Sequence, residues 1–240
     1  IASCLVGSEM CIRDRPINAR RFKASVASGG WSNTLDATSF PNRAMQDKTL
    51  DADGRKIPGK VSEDCLFLNI YKPKNAKKLA PVLVWMHGGA FKHGSANEFD
   101  GSVLAEQQQV VVVTLNFRVG AFGFLDFSKF GSEYLGSASN GIQDCILALQ
   151  WIQDNIEEYG GDPDNVTISG ESSGGTMTLG LLGCPSAYSL YHKAIACSPT
   201  CPYKDLEDPT EKVRSALNID SDNYLIRMLE MSALYICPLA

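Results

Sequence analysis

The sequence has few histidines and no long apolar run, and both shortages limit what the chain can be. Among 240 residues there are three histidines, His87, His93 and His192. None accompanies a cysteine pair at zinc-ligand spacing, so we predict no metal site. The densest apolar run, 110–115, has the length of a strand and is far too short to span a bilayer. We therefore expect no membrane-spanning segment.

Positive charge is not concentrated anywhere in the chain. The net charge is −5, and no stripe of lysine and arginine occurs, which argues against nucleic acid as the partner. Hydrophobic residues make up 44% of the sequence, enough for one buried core. No internal repeat or linker divides the chain.

The eight cysteines leave the compartment open. The closest pair, Cys197 and Cys201, has no histidine partner, and we interpret both residues as ordinary thiols. Most of the others lie in apolar stretches, where a free cysteine behaves as a small core residue. The sequence is compatible with a secreted protein and with a cytoplasmic one.

The first residues differ in character from the rest. The stretch 5–14, Leu-Val-Gly-Ser-Glu-Met-Cys-Ile-Arg-Asp, resembles the translation of a sequencing adaptor. We expect 1–15 to be a non-native tail, with the natural N-terminus and any signal peptide missing, and 16–240 to be the N-terminal part of one domain. The alternative is a natural polar tail.

Strand patterns alternate with helix patterns along the chain. We predict strands at 65–71, 82–86, 110–115, 166–169 and 194–196, and helices at 101–108, 142–156, 176–182 and 222–231. The segment 116–125, rich in glycine and aromatic residues, is predicted to be a loop. This alternation predicts an α/β fold with a mostly parallel central sheet flanked by helices.

A Gly-x-Ser-x-Gly motif stands between a predicted strand and a predicted helix. Gly170 and Gly174 flank Ser172, and this context is the one that a nucleophile elbow requires. The turn would hold the Ser172 hydroxyl clear of the sheet, as an attacking group needs. The alternative, an ordinary loop of serine and glycine, does not explain the flanking elements.

A second loop of small residues, His-Gly-Gly-Ala at 87–90, follows the predicted strand 82–86. Acyl transfer creates an oxyanion, which preorganised N–H donors stabilise. We predict that Gly89, Ala90 and Ser173 supply three donors and that Gly88 shapes the turn. By itself the loop could be a structural turn, but its pairing with the elbow favours catalysis.

Several longer motifs resemble the type-B carboxylesterase/cholinesterase family of α/β-hydrolases. They occur in order at 31–37, 62–71, 87–91, 116–124, 147–152, 160–168 and 170–175. The resemblance implies an α/β-hydrolase fold and hydrolysis of a small-molecule carboxylic ester through an acyl-enzyme on Ser172. It implies no metal or organic cofactor, and it leaves the identity of the ester and the oligomeric state open.

Five charged residues in these motifs have interpretations other than direct catalysis. Glu171 either modulates the field at Ser172 or fixes the turn by hydrogen bonds. We predict that Glu63, Asp64, Arg118 and Asp144 form buried ion pairs, because an unpaired buried charge is costly.

The chain also departs from the family pattern. Ala44 occupies the position of the cysteine that the family usually pairs with the cysteine at position 65. The loop 46–63 lacks the tryptophan with which cholinesterases hold quaternary ammonium groups, which argues against a choline-ester enzyme. The three tryptophans, Trp31, Trp85 and Trp151, are instead predicted to anchor the core.

The largest departure concerns the catalytic triad. In this fold the acid and the histidine follow the serine, and the resemblance places both beyond residue 240. His192 follows Ser172 but is a poor candidate for the base. We expect the chain to be part of a longer domain and, by itself, inactive or nearly so. The alternative is a non-catalytic binding or pseudo-enzyme module of the same fold that ends near residue 240.

Overall fold

A mixed sheet of six strands forms the centre of the protein. The computed structural model describes residues 4–5, 17–27, 39–74, 78–200, 209–220 and 223–231. The strands are β1 (Cys4–Leu5), β2 (Leu68–Tyr71), β3 (Ala80–Met86), β4 (Val111–Leu115), β5 (Gly161–Glu171) and β6 (Lys193–Cys197). Their order in the sheet is β1-β2-β4-β3-β5-β6.

Four of the strands are parallel, as predicted. β4, β3, β5 and β6 are parallel neighbours, whereas β2 runs antiparallel to both of its neighbours, β1 and β4. In the register of β3 and β5, Met86 lies opposite Gly170. The segments that follow these two strands therefore leave the sheet side by side, at the edge where parallel α/β sheets bind ligands.

Six helices accompany the sheet within the described ranges. They are α1 (Ser102–Gln108), α2 (Gly120–Phe124), α3 (Asn140–Asn155), α4 (Ser173–Leu182), α5 (Pro209–Ala216) and α6 (Tyr224–Glu230). The predictions of α1, α3, α4 and α6 are confirmed with small shifts of their ends. None of the helices that the structure describes is long and apolar enough to cross a bilayer.

Helix α2 corrects the prediction of a loop at 116–125. Glycine disfavours helices, so the local sequence gave no helical signal. The turn forms because Ala121, Phe122 and Gly123 are buried, and the Phe122 ring stacks on Phe22 at 5.6 Å. Tertiary packing therefore overrides propensity here.

The main core lies on one face of the sheet, and a small cluster of Tyr71, Ala105 and Val112 lies on the other face. The valines of β3, β4 and β5 have almost no exposed surface, and Leu149 and Ile152 of helix α3 belong to the main core. Trp151 is buried beside Tyr159, which confirms its predicted role as an anchor. Trp85 is half-buried against Phe99, at 5.1 Å between rings, and Trp31 lies outside the described residues.

Two buried arginines join distant segments. Arg118 donates to both carboxylate oxygens of Asp144 at 2.8 Å, as predicted for this pair. Glu63 accepts hydrogen bonds from Arg21, which also donates to the carbonyl oxygens of Met228, Leu229 and Met231 at the end of α6. Arg21 thereby fixes α6 to the rest of the domain.

The structure describes both residues of the missing disulfide and two residues of the unusual N-terminal stretch. Ala44 and Cys65 are both buried and border the same small cavity. Of residues 1–15, the structure describes Cys4 and Leu5, which pair with β2 as the two-residue strand β1. Whether 1–15 belongs to the natural protein stays a prediction.

Candidate active site

Ser172 is the single residue between strand β5 and helix α4, and its backbone is strained. Its φ is 55° and its ψ is −122°, a conformation that non-glycine residues rarely adopt. The Ser172 N–H donates to the carbonyl of Cys197 on β6 at 2.9 Å, and the Ser172 carbonyl accepts from the Thr176 N–H at 3.0 Å. The neighbouring strand and helix therefore enforce the turn that the sequence predicted.

The two glycines of the motif allow strand and helix to approach closely. A Cβ at Gly174 would lie 2.1 Å from the Met86 carbonyl oxygen, and one at Gly170 would lie 2.4 Å from the Gly174 carbonyl oxygen. Both neighbours are backbone atoms that cannot rotate away. Only glycine fits at these positions, as the sequence indicated.

The loop after β3 is the second strained segment. Gly89, Ala90 and Phe91 have φ values of 121°, 53° and 62°. The Gly89 carbonyl accepts from the amides of Lys92 and His93, and the Phe91 carbonyl accepts from the Gly120 N–H at 2.6 Å. These hydrogen bonds hold three successive residues in conformations with positive φ.

The loop and the elbow are in contact. A Cβ at Gly88 would lie 3.3 Å from the Ser172 Cβ. Within the part of the chain that the structure describes, the amides of Gly89 and Ala90 have no hydrogen-bond acceptor. Ser173 is the first residue of α4, where an amide has no acceptor inside the helix. Unused donors thus stand on both sides of Ser172.

These residues line an open cleft of about 320 Å³. Of the predicted site residues, the cleft brings together Ser172, Gly88, Gly89, Ala90 and Glu171. Ser173 does not line the cleft and its side chain is buried, so its amide as a third donor stays a prediction. A larger cleft of about 640 Å³, lined by 39–42 and 56–60, holds no such set of nucleophile and donors.

His87 supports the loop as a neutral imidazole. Burial lowers the pKa of His87 to about 4, and its ring stacks on Phe117 at 4.3 Å. Its Nδ1 lies 2.9 Å from the Gly88 carbonyl oxygen. Because a carbonyl only accepts, Nδ1 carries the proton and Nε2 is an acceptor.

Glu171 lines the cleft beside the loop. Its main-chain oxygen and its Oε2 each lie 3.0 Å from the position that a Gly88 Cβ would take. The side chain is exposed beside Ser172. Whether Glu171 fixes the turn or modulates the field at Ser172 stays a prediction.

His192 lies at the wrong end of its strand to act as the base. It precedes β6, whose first residue pairs with Thr167 and whose last pairs with Glu171. Its Nδ1 accepts from the Val166 N–H at 3.2 Å. Across the described ranges, no hydrogen bond joins the Ser172 hydroxyl to a histidine.

Sequence reasoning missed three polar residues of the cleft. Lys48 and His93 come from loops, and Glu98 is the last residue of the 3-10 helix Ala96–Glu98. The Gln46 amide exchanges two hydrogen bonds with the backbone of Gly94, at 2.8 and 3.0 Å. Of the three, only His93 could have been assigned to the cleft from the sequence, because it lies three residues after the loop 87–90.

Comparison with known proteins shows the family of the chain. The family model described as "Carboxylesterase family" matches residues 14–218. Para-nitrobenzyl esterase of Bacillus subtilis is 44% identical over 182 residues, covering 75% of this chain and 37% of that protein. Human carboxylesterase 5A is 43% identical over 204 residues, covering 80% of this chain and 35% of that protein.

Solved structures give the same result. A thermophilic para-nitrobenzyl esterase superposes with a TM-score of 0.85 at 37% identity, covering 95% of this chain and 48% of that one. Carboxylesterase EST55 of Geobacillus stearothermophilus superposes with a TM-score of 0.82 at 34% identity, over 95% of this chain and 47% of that one. These neighbours confirm the α/β-hydrolase fold.

The chain spans about a third of the length of the curated relatives that it matches. The family model nevertheless covers most of the chain, including the elbow and the loop after β3. The chain therefore belongs to the carboxylesterase family.

Proposed function

We propose that the protein hydrolyses carboxylic esters through an acyl-enzyme on Ser172. The observation that carries this proposal is the strained backbone of Ser172, at φ 55°, in a cleft shared with Gly88, Gly89 and Ala90. A strained residue is retained where function requires the conformation. The esterase names of the relatives support the same reaction.

In this reaction the Ser172 oxygen forms a bond to the ester carbonyl carbon as its proton passes to a base. The carbonyl oxygen becomes an oxyanion, which the amides of Gly89, Ala90 and Ser173 stabilise. The C–O bond to the alcohol breaks, and the alcohol leaves with the proton. Water then attacks the acyl-enzyme by the same route, releasing the acid and restoring the serine.

No histidine among the described residues bonds the Ser172 hydroxyl, so neither the base nor the acid that orients it has been identified. The resemblance places both beyond residue 240. A serine hydroxyl without a base is a poor nucleophile, and removing the base of a serine protease lowers kcat by roughly 10⁶-fold. We therefore infer that residues 1–240 alone turn over esters only at the background rate.

The test is hydrolysis of a para-nitrophenyl ester by the protein from the complete reading frame. The unaltered protein should release nitrophenol and Ser172→Ala should not. Ser132→Ala, at an exposed serine that does not line the cleft, should retain full activity. Turnover that survives Ser172→Ala contradicts the mechanism. An inactive complete protein would instead favour the binding module.

A further inference from the structure

The direction of each loop amide depends on the carbonyl at the other end of the same peptide. The peptides of the loop are trans, and in a planar trans peptide the N–H points opposite to the preceding carbonyl oxygen. The Gly88 carbonyl oxygen therefore fixes the direction of the Gly89 N–H, and the Gly89 carbonyl oxygen fixes that of the Ala90 N–H. Whatever holds these two oxygens orients the two predicted oxyanion donors.

The segment 92–94 packs against the loop and holds the Gly89 carbonyl. The amides of Lys92 and His93 donate to this oxygen at 3.0 and 3.1 Å. The His93 carbonyl oxygen lies 2.1 Å from the position that a Gly89 Cβ would take. Because the two backbones are in such close contact, the Ala90 N–H cannot keep its direction if the segment moves.

Gly94, the last residue of this segment, packs against the Gly88 carbonyl. A Cβ on Gly94 would lie 2.2 Å from the Gly88 carbonyl oxygen and 2.4 Å from the His87 Nδ1 that bonds this oxygen. Gly94 is buried and has a φ of 112°. A glycine has no side chain that restricts its backbone, so its orientation must be held by bonds to its peptide groups.

Gln46 makes these bonds from a segment 48 residues earlier in the chain. Its Nε2 donates to the Gly94 carbonyl at 2.8 Å, and its Oε1 accepts from the Gly94 N–H at 3.0 Å. Nε2 also donates to the Ala44 carbonyl at 3.1 Å. Gln46 is only 4% exposed, and its amide uses its oxygen and both of its donors. The side chain is therefore fixed, and it fixes Gly94.

Gln46 does not line the cleft, so it acts on the site only through Gly94. We propose that Gln46 is a positioning residue of the reaction. By holding Gly94 it fixes the segment 92–94, and this segment orients the N–H groups of Gly89 and Ala90. The inference rests on the proposed function, in which these amides stabilise the oxyanion.

Gln46→Met and Gln153→Met in the complete protein form a matched pair of variants. Methionine is unbranched like glutamine, but its thioether cannot replace the amide hydrogen bonds. Gln153 on α3 also donates to two backbone carbonyls, those of Pro163 and Leu190 at 2.9 and 3.1 Å, and does not line the cleft. Both variants lose side-chain bonds to the backbone, and only Gln46→Met affects the loop.

Hydrolysis of a para-nitrophenyl ester separates positioning from stability. Gln46→Met should lower kcat by about 10²-fold, the effect of misplacing a catalytic group by about 1 Å. KM should change by less than about twofold, because the oxyanion forms only after binding. Gln153→Met should change both constants by less than about twofold. Rates are expressed per serine labelled to completion by a fluorophosphonate, so that unfolded protein is not counted.

A second variant keeps the test open if Gln46→Met does not fold. The amide of Gln46→Asn is one methylene shorter and cannot make all three bonds, although it remains polar. Its kcat should fall by roughly tenfold with KM unchanged.

Amide hydrogen exchange followed by mass spectrometry tests the contact between Gln46 and Gly94 without requiring turnover. The amides of 92–94 should exchange at least about tenfold faster in Gln46→Met than in the unaltered protein. In Gln153→Met their exchange should be unchanged.

Unchanged exchange at 92–94 in Gln46→Met would overturn the inference, whether or not the protein hydrolyses esters. Faster exchange with an unchanged kcat would overturn it as well, because the donors would then keep their direction without Gln46. An inactive complete protein contradicts the proposed function, and faster exchange would then still support the role of Gln46 in holding the segment. The two proposals therefore fail separately.

Discussion

At the scale of single residues, Ser172 combines a strained backbone with partial exposure to the cleft. Its φ of 55° is stabilised by bonds to β6 and α4, not by its own side chain. A residue without Cβ would occupy the same backbone at lower energy. The serine is therefore retained against the stability of the fold, which is typical of a functional side chain.

The strain gives a prediction about stability. Ser172→Gly should have a free energy of unfolding about 1 kcal/mol higher than Ser172→Ala, because relief of the strain exceeds the added entropy of the unfolded chain. Urea denaturation of both variants measures the difference. A glycine variant less stable than the alanine variant would show that the backbone at 172 is not strained.

His87 gives a prediction about pH. Burial lowers its pKa to about 4, below the ordinary value near 6.5. The unfolded chain therefore binds more protons between these values, and stability falls as the pH drops from about 6.5 to about 4. The shift corresponds to about 3 kcal/mol.

Urea denaturation at pH values at both ends of this window tests the contribution of His87. His87→Gln should lose less stability than the unaltered chain on acidification, by up to about 3 kcal/mol. His93, whose pKa burial also lowers, remains in both proteins and contributes in the same direction. Identical losses in the two proteins would mean that His87 is not buried as described.

At the scale of elements, the close packing of helix α4 on strands β3 and β5 fixes the position of the site. Helix α4 contains Gly174 at its crowded first turn and Gly180 near its end. A Cβ at Gly174 would meet the Met86 carbonyl oxygen at 2.1 Å, whereas one at Gly180 would meet only the Ile142 side chain at 3.5 Å. The same helix therefore offers a test site and its control.

Gly174→Ala should destabilise the fold by about 3 kcal/mol, because the backbone of β3 must move. Gly180→Ala should stabilise it by about 0.5–1 kcal/mol, because alanine favours the helix. Chemical denaturation of both variants measures this. If the two substitutions had equal effects, α4 would not pack on β3 as the structure shows.

The elements that were predictable are those with a local signal. The elbow depends on spacing within ten residues, and the repeating apolar residues of α3 predict that helix directly. Helix α2 depends on a contact between distant segments, that of Phe22 with Phe122. The positions of the polar cleft residues Lys48 and Glu98 depend on such contacts too, for example that of Gln46 with Gly94. Such contacts leave no periodic trace in the sequence, so Lys48 and Glu98 could not be found there.

At the scale of the whole molecule, the sheet order explains why the site forms where it does. β3 and β5 are parallel neighbours, so the loop 87–90 and the elbow meet at one edge although some 80 residues of sequence separate them. β6 borders β5 on the other side and contributes the Cys197 carbonyl that holds Ser172. Its side chains, including Ile195 at 51% exposure, are largely uncovered by the described residues.

Reaction of the complete protein with a fluorophosphonate tests the central claim most directly. The reagent bonds to an activated serine and places its phosphoryl oxygen where the oxyanion would lie. We predict that peptide mass spectrometry finds one adduct, on Ser172, and that Ser172→Ala abolishes it. An adduct on another serine, or equal labelling of the Ser172→Ala protein, would contradict the assignment of Ser172 as the nucleophile.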